Sequence, residues 1–123
     1  MIVGEITADQ EATIPLIVRG PHGEELGIEA ILDTGFTGFL SLPPASIALL
    51  NLVFREMADF ILADGSITSL EVYRGTVAWD GTDRGVLVLA AAGDPLVGMS
   101  MLHGSRVTLD VVDGGPVTIV PLP

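Results

Sequence analysis

Three Asp-Gly pairs constrain the fold of this chain more than any other feature of the sequence. They are Asp64-Gly65, Asp80-Gly81 and Asp113-Gly114, and each stands between stretches rich in apolar and β-branched residues. Asp-Gly between such stretches is a strong hairpin signal, because both central residues of the tightest hairpin turn need positive φ. The sequence therefore predicts three reversals between antiparallel strands, which is typical of an all-β domain and not of a βαβ protein.

The other segments fit the same class. Pro15 favours an edge or bulged position for the strand that contains it. Proline is favourable in the first turn of a helix, so a short helix is expected over Pro44–Leu50, and Met99–His103 is long enough for one or two helical turns. Strands are predicted over the apolar segments, which are residues 1–6, 12–19, 27–32, 59–63, 66–79, 85–92, 106–112 and 117–122.

The composition indicates one folded domain, residues 1–123. The chain is 49% hydrophobic and its mean hydropathy is +0.61, which excludes disorder through low hydropathy. The longest clear apolar run, Val86–Ala92, has the length of a strand and not of a membrane span. The N-terminus lacks a basic start followed by an apolar region, and cysteine is absent. We therefore expect no secretion signal, no membrane association, no disulfide and a cytoplasmic location.

The net charge and the residue types limit the classes of partner and ligand that this chain can bind. The net charge is −11, with five arginines and no lysine, so nucleic acid should be repelled. The sixteen acidic residues are scattered and form no calcium-binding loop. Two separated histidines and no cysteine leave too few ligands for a catalytic metal. We expect no nucleic-acid partner, no metal and no cofactor.

The stretch from Ala30 to Leu42 carries the most unusual chemistry. An apolar strand runs directly into Asp33-Thr34-Gly35, and a second apolar stretch follows. A carboxylate between two buried strands is costly unless another group pairs with it or uses it. The simpler interpretation is a turn, since Asp, a small residue and Gly are ordinary turn chemistry.

Together with Leu96-Val97-Gly98, this stretch resembles the retropepsin-like aspartic proteases, the single-domain retroviral type. The similarity covers nearly the whole chain and is greatest to bacterial members, through D-T-G-F-T-G-F-L-S-L-P and I-L-A-D-G-S. The resemblance implies a closed half-barrel of short antiparallel strands with a flap hairpin and one or two short helices. It places the flap at about Phe60–Val72 and a strand that threads beneath the catalytic loop at Leu96-Val97.

The resemblance also implies roles for individual residues. The catalytic set would be Asp33, Thr34 and Gly35, with Thr34 bracing the loop across a dimer and the Gly35 amide orienting the carboxylate. The substrate-binding positions would be Phe36, Thr37, Ala63, Asp64, Gly65, Ser66, Val97 and Gly98.

The family mechanism requires two carboxylates, but the chain has one Asp-Thr-Gly. Carboxylates about 3 Å apart cannot both ionise, so in these proteases the pair shares a proton and supplies an acid and a base together. The second carboxylate would have to be Asp33 of another copy across a two-fold axis. The resemblance therefore predicts a homodimeric aspartic endopeptidase that acts on extended peptides with water as the nucleophile.

Two departures from the family keep alternatives open. Phe36-Thr37-Gly38 replaces the small and acidic residues that follow the viral Asp-Thr-Gly, and Met99-Ser100 follows Gly98 where viral members carry an arginine that ties the helix to the dimer interface. One alternative is a catalytically weak or inactive homodimeric peptide-binding module in which Phe36 partly fills the cleft. Another is a monomer in which Asp-Thr-Gly only turns the chain.

Overall fold

The computed structural model describes residues 1–123 as ten strands and two short helices, which confirms the all-β prediction. Neither helix is long and apolar enough to cross a membrane. The elements in chain order are β1 (Ile2–Ile6), β2 (Ala12–Arg19), β3 (Glu25–Leu32), β4 (Leu40–Leu42), α1 (Pro44–Leu50), β5 (Val53–Ile61), β6 (Ile67–Trp79), β7 (Thr82–Ala90), β8 (Leu96–Val97), α2 (Met99–Leu102), β9 (Ser105–Leu109) and β10 (Pro116–Pro121).

All ten strands belong to one sheet, in the order β5-β6-β7-β4-β8-β3-β2-β1-β10-β9. A further antiparallel pairing joins β2 to β6, with Val18 opposite Val77. This pairing closes β2, β3, β8, β4, β7 and β6 into a circuit, so their inward faces enclose one apolar core. Along β2, for example, Ile14, Leu16 and Val18 are buried. Complete burial of a side chain of this kind stabilises the fold by about 1.5–3 kcal/mol.

Helix α1 has the predicted bounds, and its ends explain why. Pro43 precedes it in an extended conformation and Pro44 occupies the first turn, where the missing N–H of proline costs nothing. Asn51 ends the helix in the left-handed region, with φ of 52°. The helix packs Ile47 and Leu50 into the core.

Only one of the three Asp-Gly pairs forms the predicted turn with two positive φ angles. Asp80 and Gly81 have φ of 50° and 82°, whereas in the other two pairs only Gly65 and Gly114 are positive. At Gly65 the connection is longer: the Leu62 amide donates to the Ser66 carbonyl oxygen at 2.8 Å. All three predicted reversals form, but the expectation of positive φ at both residues of the pair was wrong at these two sites, because wider loops reverse the chain with one left-handed glycine.

Two further expectations need correction. Pro15 does not lie on an edge strand: β1 pairs with the start of β2 and β6 with its end, and Pro15 falls in the gap between these two partners. The strand predicted over residues 106–112 ends at Leu109. Beyond it, backbone bonds between Ile6 and residues 114–115 bind the connecting loop to β1, so Val111 and Val112 leave the ladder and are exposed.

Candidate active site

Strand β8 fixes the position of the Asp33 loop. It lies between the two strands that flank the loop, parallel to β3 through Ile31 and Leu96 and antiparallel to β4 through Leu40 and Val97. The Asp33 amide donates to the Val97 carbonyl oxygen at 2.9 Å. Leu96-Val97 therefore runs beneath the Asp-Thr-Gly loop, which is the path that the resemblance implied.

The carboxylate of Asp33 is hydrogen-bonded to the backbone through one of its two oxygens. Its Oδ1 accepts a hydrogen bond from the Gly35 amide at 2.9 Å, and a Cβ on residue 35 would lie 3.2 Å from the same oxygen. Asp33 is half-buried, while Thr34 and Gly35 are exposed. The carboxylate is thus oriented by a backbone donor and can still accept a hydrogen bond from an incoming water or peptide group.

The residues after β8 bind the rest of the loop. A Cβ on Gly98 would lie 2.2 Å from the Gly38 carbonyl oxygen, so only glycine allows this approach. The Ser100 hydroxyl donates to the Thr37 carbonyl oxygen. Three backbone bonds complete the attachment: Gly98 to Phe39 at 3.0 Å, Met99 to Phe36 at 2.8 Å, and Ser100 to Gly38 at 3.2 Å.

Arg84 contributes to this arrangement and was not singled out from the sequence. Its Nη1 donates to the Met101 carbonyl oxygen in α2 at 3.1 Å, and its guanidinium lies 5.9 Å from the ring centroid of Phe39. Arg84 thereby links α2 to the end of the Asp33 loop. No local pattern marks this role, because it depends on β7 running beside a helix that comes later in the chain.

An apolar cavity of about 220 Å³ lies between the loop and the β5–β6 hairpin. Phe36 lines it from the loop. Most of the other lining side chains come from the arms of the hairpin and from β7. Of these, only Phe60 and Val72 fall within the predicted flap. The full lining is Phe36, Gly38, Phe39, Leu40, Glu56, Ala58, Phe60, Val72, Leu87, Leu89 and Ser100.

The remaining predicted substrate-binding residues lie elsewhere. Ala63, Asp64, Gly65 and Ser66 form the exposed tip of the hairpin and do not line the apolar cavity. The Ser66 hydroxyl and amide both donate to Asp64 Oδ1, at 2.6 and 2.9 Å, and these bonds lower the pKa of Asp64. Val97 is completely buried, so it supports the loop through the core and its backbone.

A second depression, of about 490 Å³, borders Asp33 and Thr34 on the other side of the loop. Among its apolar lining residues, Met99 and Leu109 are 46% and 43% exposed. We call this surface the Asp33 depression. Its lining is Gln10, Glu11, Ala12, Ile31, Leu32, Asp33, Thr34, Met99, Leu102, Val107 and Leu109.

The structure contains no group of three or more His, Asp or Glu side chains arranged to hold a metal ion. In comparisons with known proteins, no family model matches the chain, and no curated protein and no solved structure matches it.

Proposed function

We propose that this protein is an aspartic endopeptidase of the retropepsin-like type that is active as a homodimer. The observation that carries the proposal is the setting of Asp33. Asp33 is half-buried, its carboxylate is oriented by the Gly35 amide, and its loop is hydrogen-bonded to β8 and to the residues that follow β8. A residue that served only to turn the chain would not require this support.

The dimer follows from the chemistry. One chain supplies one carboxylate of this kind, and a two-fold axis beside Thr34 would bring Asp33 of a second copy to face the first. The exposed Thr34 hydroxyl can both donate and accept a hydrogen bond, so it suits a contact with its own copy. The apolar side chains of the Asp33 depression, Met99 and Leu109 among them, would be covered by the same contact, which favours association.

The paired carboxylates would share one proton and hold a water between them. The ionised carboxylate takes a proton from the water, whose oxygen attacks the peptide carbonyl carbon. The protonated carboxyl gives its proton to the carbonyl oxygen, so the intermediate is a neutral geminal diol. The diol then returns a hydroxyl proton to one carboxylate, the other carboxyl protonates the nitrogen, and the C–N bond breaks.

The substrate would be an extended peptide with an apolar side chain in the cavity beside Phe36. An extended peptide satisfies its backbone hydrogen-bonding groups by pairing with a strand of the protein, as an added strand of a sheet does. The β5–β6 hairpin would cover it and exclude water from the reacting groups. Its exposed tip, with Ile61 and Ile67 at 78% and 69% exposure, would gain apolar contacts on closing.

The test is cleavage of a peptide library, read by mass spectrometry from acidic to neutral pH, with wild-type protein and Asp33→Asn. Asp94→Asn is the matched control, because Asp94 is exposed and its side chain makes no hydrogen bond. We expect cuts by wild type and Asp94→Asn that Asp33→Asn does not make. If no protein cuts at any pH while all remain folded dimers that bind peptides, the peptide-binding module is correct instead.

A further inference from the structure

The arginines of this acidic chain are concentrated in one place. Three of the five arginines, Arg19, Arg55 and Arg74, line an open cavity of about 540 Å³ together with nine uncharged residues. We call it the arginine cavity. It has no acidic lining residue, although the net charge of the chain is −11. Three carboxylates outside the lining, Glu25, Asp83 and Glu56, lie within 4 Å of Arg19 or Arg55, so the positive charge that the cavity can offer an anion depends on how far each arginine is already paired.

The three arginines differ in how far they are already neutralised. Arg19 is paired with Glu25 at 2.9 Å and with Asp83. The Nε of Arg55 is 3.8 Å from Glu56, between exposed side chains, where an ion pair contributes little. Arg74 is exposed and makes no ion pair or side-chain hydrogen bond. Arg74 and Arg55 are therefore the cations available to a ligand.

A β-bulge brings this cavity onto the same face of the hairpin as the apolar cavity. The β5–β6 register passes from Phe54 to Glu56, so Arg55 has no partner in the ladder. In a regular strand, residues 55 and 58 would point to opposite faces; the extra residue in a bulge changes this alternation. Arg55 lines the arginine cavity and Ala58 the apolar cavity.

The two cavities are also contiguous. Phe39 and Leu87 line both of them, so together they form one groove that is apolar near Phe36 and cationic at its other end. A peptide that lies along the groove with an apolar side chain beside Phe36 extends toward Arg55 and Arg74. Planar guanidinium groups recognise carboxylates with paired hydrogen bonds.

We propose that the groove selects peptides carrying an Asp or Glu side chain on one side of the bound apolar residue, with Arg74 and Arg55 as the specificity-determining residues. The inference rests on the proposed function in that it takes this groove as the site where the peptide lies. It adds a charge requirement that neither the fold nor the catalytic chemistry demands.

The experiment measures binding and not cleavage, so that its failure is distinguishable from failure of the proposed function. Fluorescein-labelled dodecapeptides carry a central leucine, and each of the remaining positions is replaced in turn by Glu and by Gln. Binding of each peptide to the Asp33→Asn protein is followed by fluorescence anisotropy. We expect a position on one side only where Glu binds about fivefold tighter than Gln, the range of a partly exposed ion pair. This preference should weaken as salt is raised.

Variants identify the residues responsible. In the same background, Arg74→Gln should abolish the preference, Arg55→Gln should reduce it, and Arg74→Lys should retain part of it. Arg106→Gln is the matched control, since it removes one exposed arginine that makes no ion pair, and it should bind as the parent does. Equal binding of Glu and Gln peptides, or a preference that survives both glutamine variants, would overturn the proposal even if the wild-type protein cleaves peptides.

Discussion

Gly98→Ala tests whether the Asp33 loop depends on its support from below. The new methyl carbon would lie 2.2 Å from the Gly38 carbonyl oxygen and 2.7 Å from that of Phe36. The Phe36 ring, also 2.7 Å away through Cδ2, could rotate aside, but the two carbonyl oxygens are backbone atoms, so the loop must separate from the segment after β8. Overpacking of this kind costs about 1–3 kcal/mol.

The separation also weakens the three backbone hydrogen bonds between residues 98–100 and the loop. Each contributes on the order of 0.5–1.5 kcal/mol. We therefore expect the free energy of unfolding to fall by about 3–5 kcal/mol, a large part of the 5–15 kcal/mol typical of a domain. Peptide cleavage should be lost with it, because the carboxylate is no longer positioned.

The assay is urea unfolding of wild type, Gly98→Ala and Gly27→Ala at one protomer concentration, since the stability of a dimer depends on concentration. Gly27→Ala is the matched control: it lies in β3, and a Cβ there meets no atom within 4 Å. It should be neutral or slightly stabilising. If Gly98→Ala costs no more than Gly27→Ala, the loop is not attached as described.

Three further substitutions test other parts of the account. Arg84→Met removes a charged hydrogen bond and a cation–π contact, so urea unfolding should show a loss of about 2–4 kcal/mol. Hydrogen bonds, chiefly the one from Asn51, hold the pKa of Glu24 at about 2, below the ordinary 4.5. The stabilisation that the ionised Glu24 gives the folded state is therefore complete above pH 4.5 and is lost as pH falls toward 2. In Glu24→Gln, unfolding free energy should fall less between pH 5 and pH 2.5. Leu109→Glu places a charge in the Asp33 depression, so sedimentation velocity should show a shift toward monomer with a parallel loss of cleavage.

Each of these has a matched control. Arg106→Gln should change stability by no more than about 0.5 kcal/mol. Glu29→Gln, at an exposed glutamate without a side-chain hydrogen bond, should leave the acid sensitivity as in wild type. Leu49→Glu, on α1 with 70% exposure, should leave the dimer intact. If a variant and its control behave alike, the contact that the variant removes does not have the effect described for it.

The parts of the fold that were predictable from sequence are those set by neighbouring residues. Pro44 and Asn51 bound α1 through their own backbone preferences, and the turn at Asp80-Gly81 follows from two residues that tolerate positive φ. The wide loop after Leu109 was not predictable in this way. Two of its backbone hydrogen bonds go to Ile6, a partner that no local pattern specifies.

The residues of the candidate site likewise fall into those that local sequence predicts and those that it does not. Asp33 and Phe36 could be named because one short stretch carries both the chemistry and the resemblance. Arg84, Arg55 and Arg74 could not, because each stands alone in its strand and reaches its partners only when the sheet closes. The hairpin itself was predicted, but the bulge that directs Arg55 toward the groove is not encoded in any periodicity of the segment.

The central claim is that Asp33 of two copies forms one active site, and mixing tests it most directly. Wild type and affinity-tagged Asp33→Asn are unfolded together, refolded at fixed total concentration and assayed for peptide cleavage. If both carboxylates are required, an equal mixture retains about one quarter of the wild-type activity, because only dimers with two wild-type chains cut, and isolated heterodimers are inactive. Retention of one half, with active heterodimers, would mean that each chain works alone and would contradict the account.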